Sequence, residues 1–309
     1  MGEKKVDWSS GHNREALSYQ RKGLWREDSL RMFAPWLGLR SGMRAIDVGC
    51  GLGYLGYTWW EFFGKGGEYI GIDLSDKLLS DAEKAAQDWA EGGTARFIRA
   101  DACNVPLEDN SVDLAMCQTL LMHLEDPEGA LHEMVRVVRP GGLVFCCEPD
   151  NLSAGLGRSF SSVPEFSLED ELFLKKITLT RYRGRLTMGK GDLAIGAKLP
   201  YLFNQAGLID VDVRLNDQAR FLLPPYESED MKNRVEQLKK WFLDDSSFNQ
   251  RLEEGREEFL AGGGDPEEYD RFRTISEKLR QAVQEQLDRA EYHSFASSHF
   301  YIAKARKRQ

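Results

Sequence analysis

Three aspartates, Asp47, Asp73 and Asp101, stand at or just beyond the ends of short apolar segments. These segments are rich in β-branched residues and predict β-strands. The carboxyl ends of parallel strands meet at one edge of a sheet, so we expect the three carboxylates to share a crevice there. Three acids favour a ligand with a positive amine, a ribose and an exocyclic amino group over a diphosphate, which they would repel.

A glycine-rich turn, Asp47-Val48-Gly49-Cys50-Gly51-Leu52-Gly53, joins the first of these strands to an aromatic helical segment. Glycines at this point let the backbone approach a ligand without interference from a Cβ atom. The turn alone is ambiguous, because Gly51-x-Gly53-x-x-Gly56 also fits a dinucleotide fingerprint, and Asp73 lies 20 residues beyond Gly53. An NAD-dependent dehydrogenase is therefore an alternative, although Asp47 inside the turn disfavours a pyrophosphate.

The elements that must position these residues alternate regularly. Strands are predicted at residues 44–48, 68–73, 95–100, 112–117 and 143–147, and helices at 54–63, 76–91 and 127–138. This spacing is typical of right-handed βαβ crossovers and of a parallel sheet covered on both faces. Two further strands are predicted at 208–215 and 299–305.

The chain divides into three predicted parts. Residues 1–40 form an amino-terminal helical lid, and residues 41–225 with 292–309 form the core, from which residues 150–195 depart as an excursion on the substrate side. Residues 226–291 form a helical insert whose last helix carries a clean apolar stripe. The excursion contains a helix over 168–180 and then a basic stretch, Arg181–Arg185, that either binds an anion or is a solvated loop, the commoner case.

Composition limits the class of protein. The 309 residues carry a formal net charge of −9, which disfavours binding to nucleic acid. Five cysteines, an odd number, do not suggest a secreted disulfide framework. The sequence starts without a signal peptide and has no apolar run near the ~20 residues that span a bilayer, so we expect a cytoplasmic protein without membrane partners.

Several segments together resemble class I S-adenosylmethionine-dependent methyltransferases. Residues Ala45–Gly53 are similar to motif I of that family, and the other similar segments follow in the family's order: Gly71–Ser75, Ala100–Ala102, Pro106-Leu107, Ser111–Asp113 and Leu131–Gly142. The resemblance covers residues 40–150 and is nearest to the small-molecule branch typified by ubiquinone and menaquinone biosynthesis methyltransferases. It implies an α/β, Rossmann-like fold with a seven-stranded, mostly parallel sheet, helices on both faces and helical elaborations over the active site.

The resemblance also implies a cofactor site for S-adenosylmethionine. The residues assigned to it are Asp47, Gly49, Cys50, Gly51, Gly53, Asp73, Leu74, Asp101, Ala102, Gln118 and Tyr19. In this scheme Asp73 accepts the ribose hydroxyls, Asp101 the adenine amino group, and Gln118 faces the methionine moiety or the substrate. Tyr19, with Trp25, covers the cofactor as a lid or packs in the core.

His123 is the candidate general base, because it follows the fourth strand and a histidine titrates near neutral pH. Packing against the next turn is the commoner role for such a residue. Cys146 and Cys147 are adjacent in a buried strand, so they point to opposite faces and are predicted to pack in the core. No metal site is predicted, although thiols near strand ends at Cys50, Cys103 and Cys117 leave an arsenic-methylating role open.

We therefore predict an enzyme that transfers a methyl group by in-line displacement to a small-molecule acceptor. The alternatives are an RNA or protein methyltransferase, a non-catalytic protein that senses S-adenosylmethionine, and the dehydrogenase. The −9 charge argues against RNA. The acid inside the glycine turn argues against NAD.

Overall fold

A computed structural model describes residues 24–157, 160–163, 166–216, 219–297 and 299–309. Tyr19 and the rest of the predicted lid before residue 24 lie outside this part of the chain. The chain forms two compact units. The first contains residues up to 149 together with 195–218 and 300–309, and the second contains 150–194 and 219–299. Residues 150–194, predicted as an excursion from the core, thus group with the helical insert.

The elements follow one another in a regular order. The helices are α1 Glu27–Leu37, α2 Tyr54–Phe63, α3 Asp76–Trp89, α4 Pro127–Val137, α5 Asn151–Leu156, α6 Leu168–Thr187, α7 Ile195–Gln205, α8 Glu229–Leu238, α9 Asp245–Ala261 and α10 Pro266–Asp288. The strands are β1 Arg44–Val48, β2 Glu68–Asp73, β3 Thr94–Arg99, β4 Val112–Gln118, β5 Val138–Pro149, β6 Phe160–Ser161, β7 Ile209–Leu215, β8 Ala219–Leu222, β9 Ser294–Ser297 and β10 Phe300–Arg306. A 3-10 turn, Leu121–His123, follows β4 and a π-helical turn, Lys239–Leu243, follows α8.

The first unit is built on a seven-stranded sheet in the order β3-β2-β1-β4-β5-β10-β7. Strands β1 to β5 pair in parallel, whereas β10 runs antiparallel to both β5 and β7. The predicted seven-stranded, mostly parallel sheet is confirmed. The order reverses between β1 and β4, and the crevice at such a reversal is where open α/β sheets bind ligands.

Local sequence explains where the crossover helices begin. The Ser75 hydroxyl accepts a hydrogen bond from the Leu78 amide and caps α3, as its position before the helix predicts. Asp126 caps α4 in the same way, and Pro127 occupies the first turn, where its missing N–H costs nothing.

Strand β5 starts earlier than predicted, at Val138, because residues 139–142 bulge out between two ladder pairs with β4.

Aromatic side chains form much of the core of the first unit. Trp59 and Phe145 are fully buried, and their rings meet edge to face with centroids 6.0 Å apart. Trp25, which precedes α1, packs edge-on against Trp59 at 5.0 Å and against Phe33 at 5.9 Å. These aromatic residues near the amino terminus thus pack in the core of this unit.

The second unit corrects the prediction for the basic stretch. Helix α6 continues through Arg181–Arg185 to Thr187, so these residues are not in a loop. Arg181 and Arg185 each bind the Glu258 carboxylate of α9 at 3.1 Å, and Glu258 is buried. Gly184 allows the two helices to cross closely, since a Cβ there would lie 1.6 Å from the Glu258 carbonyl oxygen. Two of the basic residues thus serve the packing of α6 on α9.

Helix α10, the last helix of the second unit, carries the predicted apolar stripe. The two halves of this stripe pack in different hydrophobic clusters. Tyr269 is buried with Phe173 and Ile177 of α6, whereas Val283 and Leu287 belong to a separate cluster. A small sheet in the order β6-β9-β8 completes this unit. In the described ranges, no helix combines the length and the apolar character needed to cross a membrane.

Candidate functional site

The glycine turn lies at the carboxyl end of β1, and its three glycines adopt positive φ angles of 70°, 53° and 75° at Gly49, Gly51 and Gly53. A Cβ on Gly49 would lie 2.5 Å from Cδ1 of Leu120, so this position is closed by the segment after β4. A Cβ on Gly51 would meet no atom within 4 Å. Gly51 therefore exposes backbone to open space, as a ligand-binding turn requires.

Asp73 ends β2 directly beside this turn. Its Oδ2 accepts a hydrogen bond from the Gly51 amide at 3.0 Å, and its Oδ1 accepts one from the Ser75 amide at 2.9 Å. Each carboxylate oxygen has a second lone pair, so the two amides orient the group without using up its capacity as an acceptor. Leu74, the next residue, is half exposed at 49%.

Asp47 lies deeper than Asp73, with only 1% of its surface exposed. Its Oδ2 accepts a hydrogen bond from the Tyr69 hydroxyl of β2 at 2.7 Å. Burial, together with the Asp47 charge, raises the pKa of Tyr69 well above its usual value, so the phenol stays a donor. Burial, with the charges of Asp47 and Asp73, likewise raises the pKa of the Cys50 thiol, which remains neutral.

Asp101 and Ala102 follow β3 in a loop that α4 holds in place. The Asp101 carboxylate is exposed and accepts a hydrogen bond from the Cys103 amide at 2.9 Å, whereas Ala102 is buried. Arg136 of α4 donates to the carbonyl oxygens of residues 105 and 107, both at 2.8 Å. Glu133 accepts from the amide of residue 105 at 2.7 Å. This pair fixes the loop that presents Asp101.

A cavity opens where the glycine turn faces the end of β4. Its lining residues are Asp47, Gly49, Cys50, Gly51, Leu52, Tyr54, Leu55 and Gln118. Gln118, the last residue of β4, is 5% exposed, and its Oε1 accepts a hydrogen bond from the Trp25 indole N–H at 2.9 Å. Trp25 and Gln118 are 93 positions apart in the chain, so no local sequence pattern reveals this contact.

His123 ends the 3-10 turn that follows β4 and is half-buried there. Its amide donates to the Leu120 carbonyl oxygen at 2.9 Å. The histidine thus lies five residues beyond Gln118, on the segment that contacts the glycine turn through Leu120. Its role as a base stays a prediction.

Glu148, at the end of β5, is a site residue that the sequence analysis missed. It is fully buried, and its carboxylate accepts hydrogen bonds from the amides of Leu120 at 2.8 Å, Leu121 at 2.9 Å and Met122 at 3.3 Å. The signal that could have found it is the one that marked Asp47 and Asp73, an acid at the end of an apolar strand. The carboxyl edge of the sheet therefore carries a fourth acid.

A more open depression lies at the opposite edge of the sheet, at the amino ends of β1 to β3. Glycines line much of it, together with Arg44, Glu68 and Thr94. Arg44 binds the Glu68 carboxylate at 2.6 Å, so the charged groups in this depression already neutralise each other. The crevice at the carboxyl ends of the strands, with its unfilled glycine turn, is the better candidate site.

Two buried cysteines lie side by side on neighbouring strands of the sheet. Cys117 of β4 and Cys146 of β5 are register partners, and both are fully buried. A hydrogen bond between them, followed by burial, raises the pKa of Cys117. Cys147 packs in the aromatic core on the other face, which confirms that the adjacent pair divides between the two faces. Across the described residues, no three His, Cys, Asp or Glu side chains are grouped to hold a metal ion.

The sheet order, with its antiparallel β10, and the glycine turn before α2 define the class I methyltransferase fold. Two solved structures show the same fold. One is a chain of the complex between the Haloferax volcanii Trm112 methyltransferase activator and a methyltransferase, at a TM-score of 0.52, 13% identity and full coverage of both chains. The other is a candidate methyltransferase from Bacillus halodurans, at a TM-score of 0.50, 15% identity and coverage of 91% of this chain and 100% of that one.

Sequence comparisons agree with the fold. Residues 46–146 match the family model described as a methyltransferase domain. The chain is 34% identical over 132 residues to a demethylmenaquinone methyltransferase of Oceanobacillus iheyensis, covering 43% of this chain and 53% of the relative. It is 28% identical over 204 residues to that of Geobacillus sp. strain WCH70, covering 64% and 82%.

This protein spans about half the length of the first of these relatives. It carries the methyltransferase domain of the class I S-adenosylmethionine-dependent type, and it is similar to the demethylmenaquinone methyltransferases. The family resemblance predicted from the sequence is confirmed.

Proposed function

We propose that this protein transfers the methyl group of S-adenosylmethionine to a small-molecule acceptor by in-line displacement. The observation that carries the proposal is the opening beside Gly51, where the backbone faces free space next to the Asp73 carboxylate and the Gln118 amide. The names of the relatives support a small acceptor, with demethylmenaquinone as the first candidate.

The residues of the crevice fit this cofactor. In the proposed complex, the backbone at Gly49 and Gly51 lies against the methionine part, and Asp73 accepts the ribose hydroxyls. Asp101, which is exposed, accepts from the adenine amino group beside Ala102. Asp47 contributes negative charge that favours a cationic ligand over a pyrophosphate. In the transfer, the bond between the methyl carbon and the acceptor would form as the bond from that carbon to the sulfonium sulfur breaks, and S-adenosylhomocysteine would leave as a neutral thioether. The protein therefore has mainly to bind, orient and exclude water.

Gln118 is suited to position the acceptor, because it lines the cavity. The hydrogen bond from the Trp25 indole N–H to its Oε1 holds the orientation of this amide. His123 would take a proton from an acceptor whose pKa is high enough to need a base. An acceptor that ionises readily would need no such residue.

The proposal is tested by isothermal titration of the protein with S-adenosylmethionine, S-adenosylhomocysteine and NAD. Micromolar binding of the first two without a response to NAD supports it, and binding of NAD alone overturns it. Transfer of a labelled methyl group to demethylmenaquinone, to total RNA and to cell protein then separates the acceptor classes. Label on RNA that falls steeply with salt would favour the nucleic-acid alternative.

The Asp73→Asn variant tests the role of Asp73 in the same titration. It should keep a hydrogen bond from Gly51 or Ser75 while it removes the charged acceptor of the ribose. We expect cofactor affinity to fall by about 1.5–3 kcal/mol, the range for hydrogen bonds to a charged group. An unchanged dissociation constant would remove Asp73 from the site. The cytoplasmic location stays a prediction.

A further inference from the structure

Glu148 is a buried carboxylate that binds a run of three backbone amides. Its Oε1 accepts from both Leu120 and Leu121, and its Oε2 accepts from Met122. The Cys117 thiol lies 3.8 Å from the same Oε1. Hydrogen bonds from N–H groups to a charged acceptor are roughly twice as strong as neutral ones, so this carboxylate is a firm anchor for the segment after β4.

The anchored segment, residues 118–123, is called the rim turn below. It contains Thr119, whose φ of +49° places a β-branched residue in the left-handed region. The Thr119 amide donates to the Cys147 carbonyl oxygen at 2.9 Å, one residue before Glu148. A conformation of this kind persists only where the surroundings hold it, and here β5 holds it with one backbone carbonyl and one side chain.

The rim turn connects Glu148 to both sides of the candidate site. At its start, Gln118 forms part of the cavity wall. In its middle, Leu120 packs against Gly49, and a Cβ on Gly49 would force the Leu120 side chain to move. At its end lies His123. One buried carboxylate thus holds Leu120, whose side chain packs on the glycine turn, together with the residues that connect Gln118 to His123.

We propose that Glu148 is a positioning residue for methyl transfer, which holds the strained rim turn so that Gln118 and His123 face the acceptor in a fixed geometry. This inference rests on the proposed function. It differs from a purely structural role, because it predicts a loss of turnover in enzyme that is fully folded and loaded with cofactor.

The experiment compares three variants. Glu148→Gln keeps one oxygen for Leu120 and Leu121 but turns an N–H group toward the Met122 amide, so it should be intermediate. Glu148→Leu removes all three hydrogen bonds at similar volume. Asp113→Asn is the matched control, since Asp113 lies on β4 at the opposite edge of the sheet and accepts a hydrogen bond from the Arg44 amide at 2.8 Å.

Two readouts are measured on folded protein. Amide hydrogen exchange of residues 118–124 should be faster in Glu148→Gln and about ten- to a hundredfold faster in Glu148→Leu, and unchanged in Asp113→Asn. With demethylmenaquinone as acceptor, kcat per molecule of bound cofactor should fall by about tenfold in Glu148→Gln, because small displacements of positioning groups cost that much or more. The dissociation constant for S-adenosylmethionine should stay within about threefold, since Asp73 and Asp101 are untouched.

Faster exchange in the rim turn with unchanged kcat in Glu148→Gln would reduce Glu148 to a structural residue and overturn the proposal. Unchanged exchange in Glu148→Leu would overturn it as well. If the unmodified protein binds no S-adenosylmethionine, the proposed function fails and Glu148 loses its role in transfer, whereas hydrogen exchange still shows whether it orders the rim turn. If Glu148→Leu does not fold, the exchange and kcat of Glu148→Gln decide.

Discussion

Alanine at Gly49 or Gly51, two of the three glycines of the turn, should separate folding from cofactor binding. Both residues have positive φ angles, so an alanine at either one pays about 1–2 kcal/mol for the left-handed backbone. At Gly51 nothing lies within 4 Å of the added Cβ, and no further cost arises in the free protein. At Gly49 the Cβ would lie 2.5 Å from Leu120, which adds about 1–3 kcal/mol of overpacking.

The two variants should therefore fail in different assays. Gly51→Ala should keep most of its thermal stability, yet its Cβ would project into the space proposed for the methionine part of the cofactor. We expect the dissociation constant for S-adenosylmethionine to rise at least about tenfold, equivalent to ~1.4 kcal/mol, by isothermal titration. Gly49→Ala should unfold at a clearly lower temperature than Gly51→Ala without any ligand.

Wild-type affinity in Gly51→Ala would mean that the open side of the turn does not face the cofactor. Equal melting temperatures for the two variants would mean that the Leu120 side chain moves aside without loss of stability. The packing of the rim turn on the glycine turn would then not stabilise the site. Gly66→Ala, with a φ of +70° and no neighbour within 4 Å at the opposite edge of the sheet, is the control for the backbone cost alone.

Three further predictions concern other parts of the molecule. Glu258→Gln should destabilise the second unit by about 3 kcal/mol in denaturant unfolding. This is the low end of the range for a broken buried ion pair, because Arg181, one of the two arginines that bind Glu258, is 34% exposed. A change below about 1 kcal/mol would contradict this expectation. Hydrogen bonding from Arg136 lowers the pKa of Glu133 in the folded protein. The ionised Glu133 therefore adds to the free energy of unfolding above the unfolded pKa of about 4.3, and this stabilisation is lost as the pH falls through the folded pKa. Glu133→Gln should thus be less stable than the native protein at pH 7. The difference should disappear once the pH falls below the lowered pKa of Glu133, and a difference that persists in acid would refute the ionic origin. Of the five thiols, only Cys103 is exposed, so iodoacetamide should label it first. Partial burial and nearby acids raise its pKa, so labelling should become faster as the pH is raised above 9. Early labelling of a buried thiol would contradict the packing of the core.

The alternating strands and helices of residues 44–149 could be predicted because each carries its own local signal. Strand β1 is a short β-branched run before glycines, and α3 begins at a serine that caps it. Periodicity and capping are properties of neighbouring residues, so they can be recognised without knowledge of the tertiary structure. The glycine turn and Asp73 were predictable for the same reason.

The elements without periodicity or capping residues could not be predicted from the sequence. The strands β6, β8 and β9 have two to four residues each, too few for a period to show, and they exist because they pair with one another. The stretch Arg181–Arg185 was expected in a loop because it is charged. It is helical because two of its arginines bind one glutamate of α9, 73 and 77 residues away.

The sequence by itself determined the class of fold, the glycine turn and the acids at the strand ends, since these follow from residues close together in the chain. Only the tertiary structure decided which side chains surround the crevice. Trp25 reaches Gln118, and Glu148 reaches the rim turn, because β5 and the segment before α1 are brought to β4 by the order of the sheet. Such contacts depend on packing across the fold, and no local pattern encodes them.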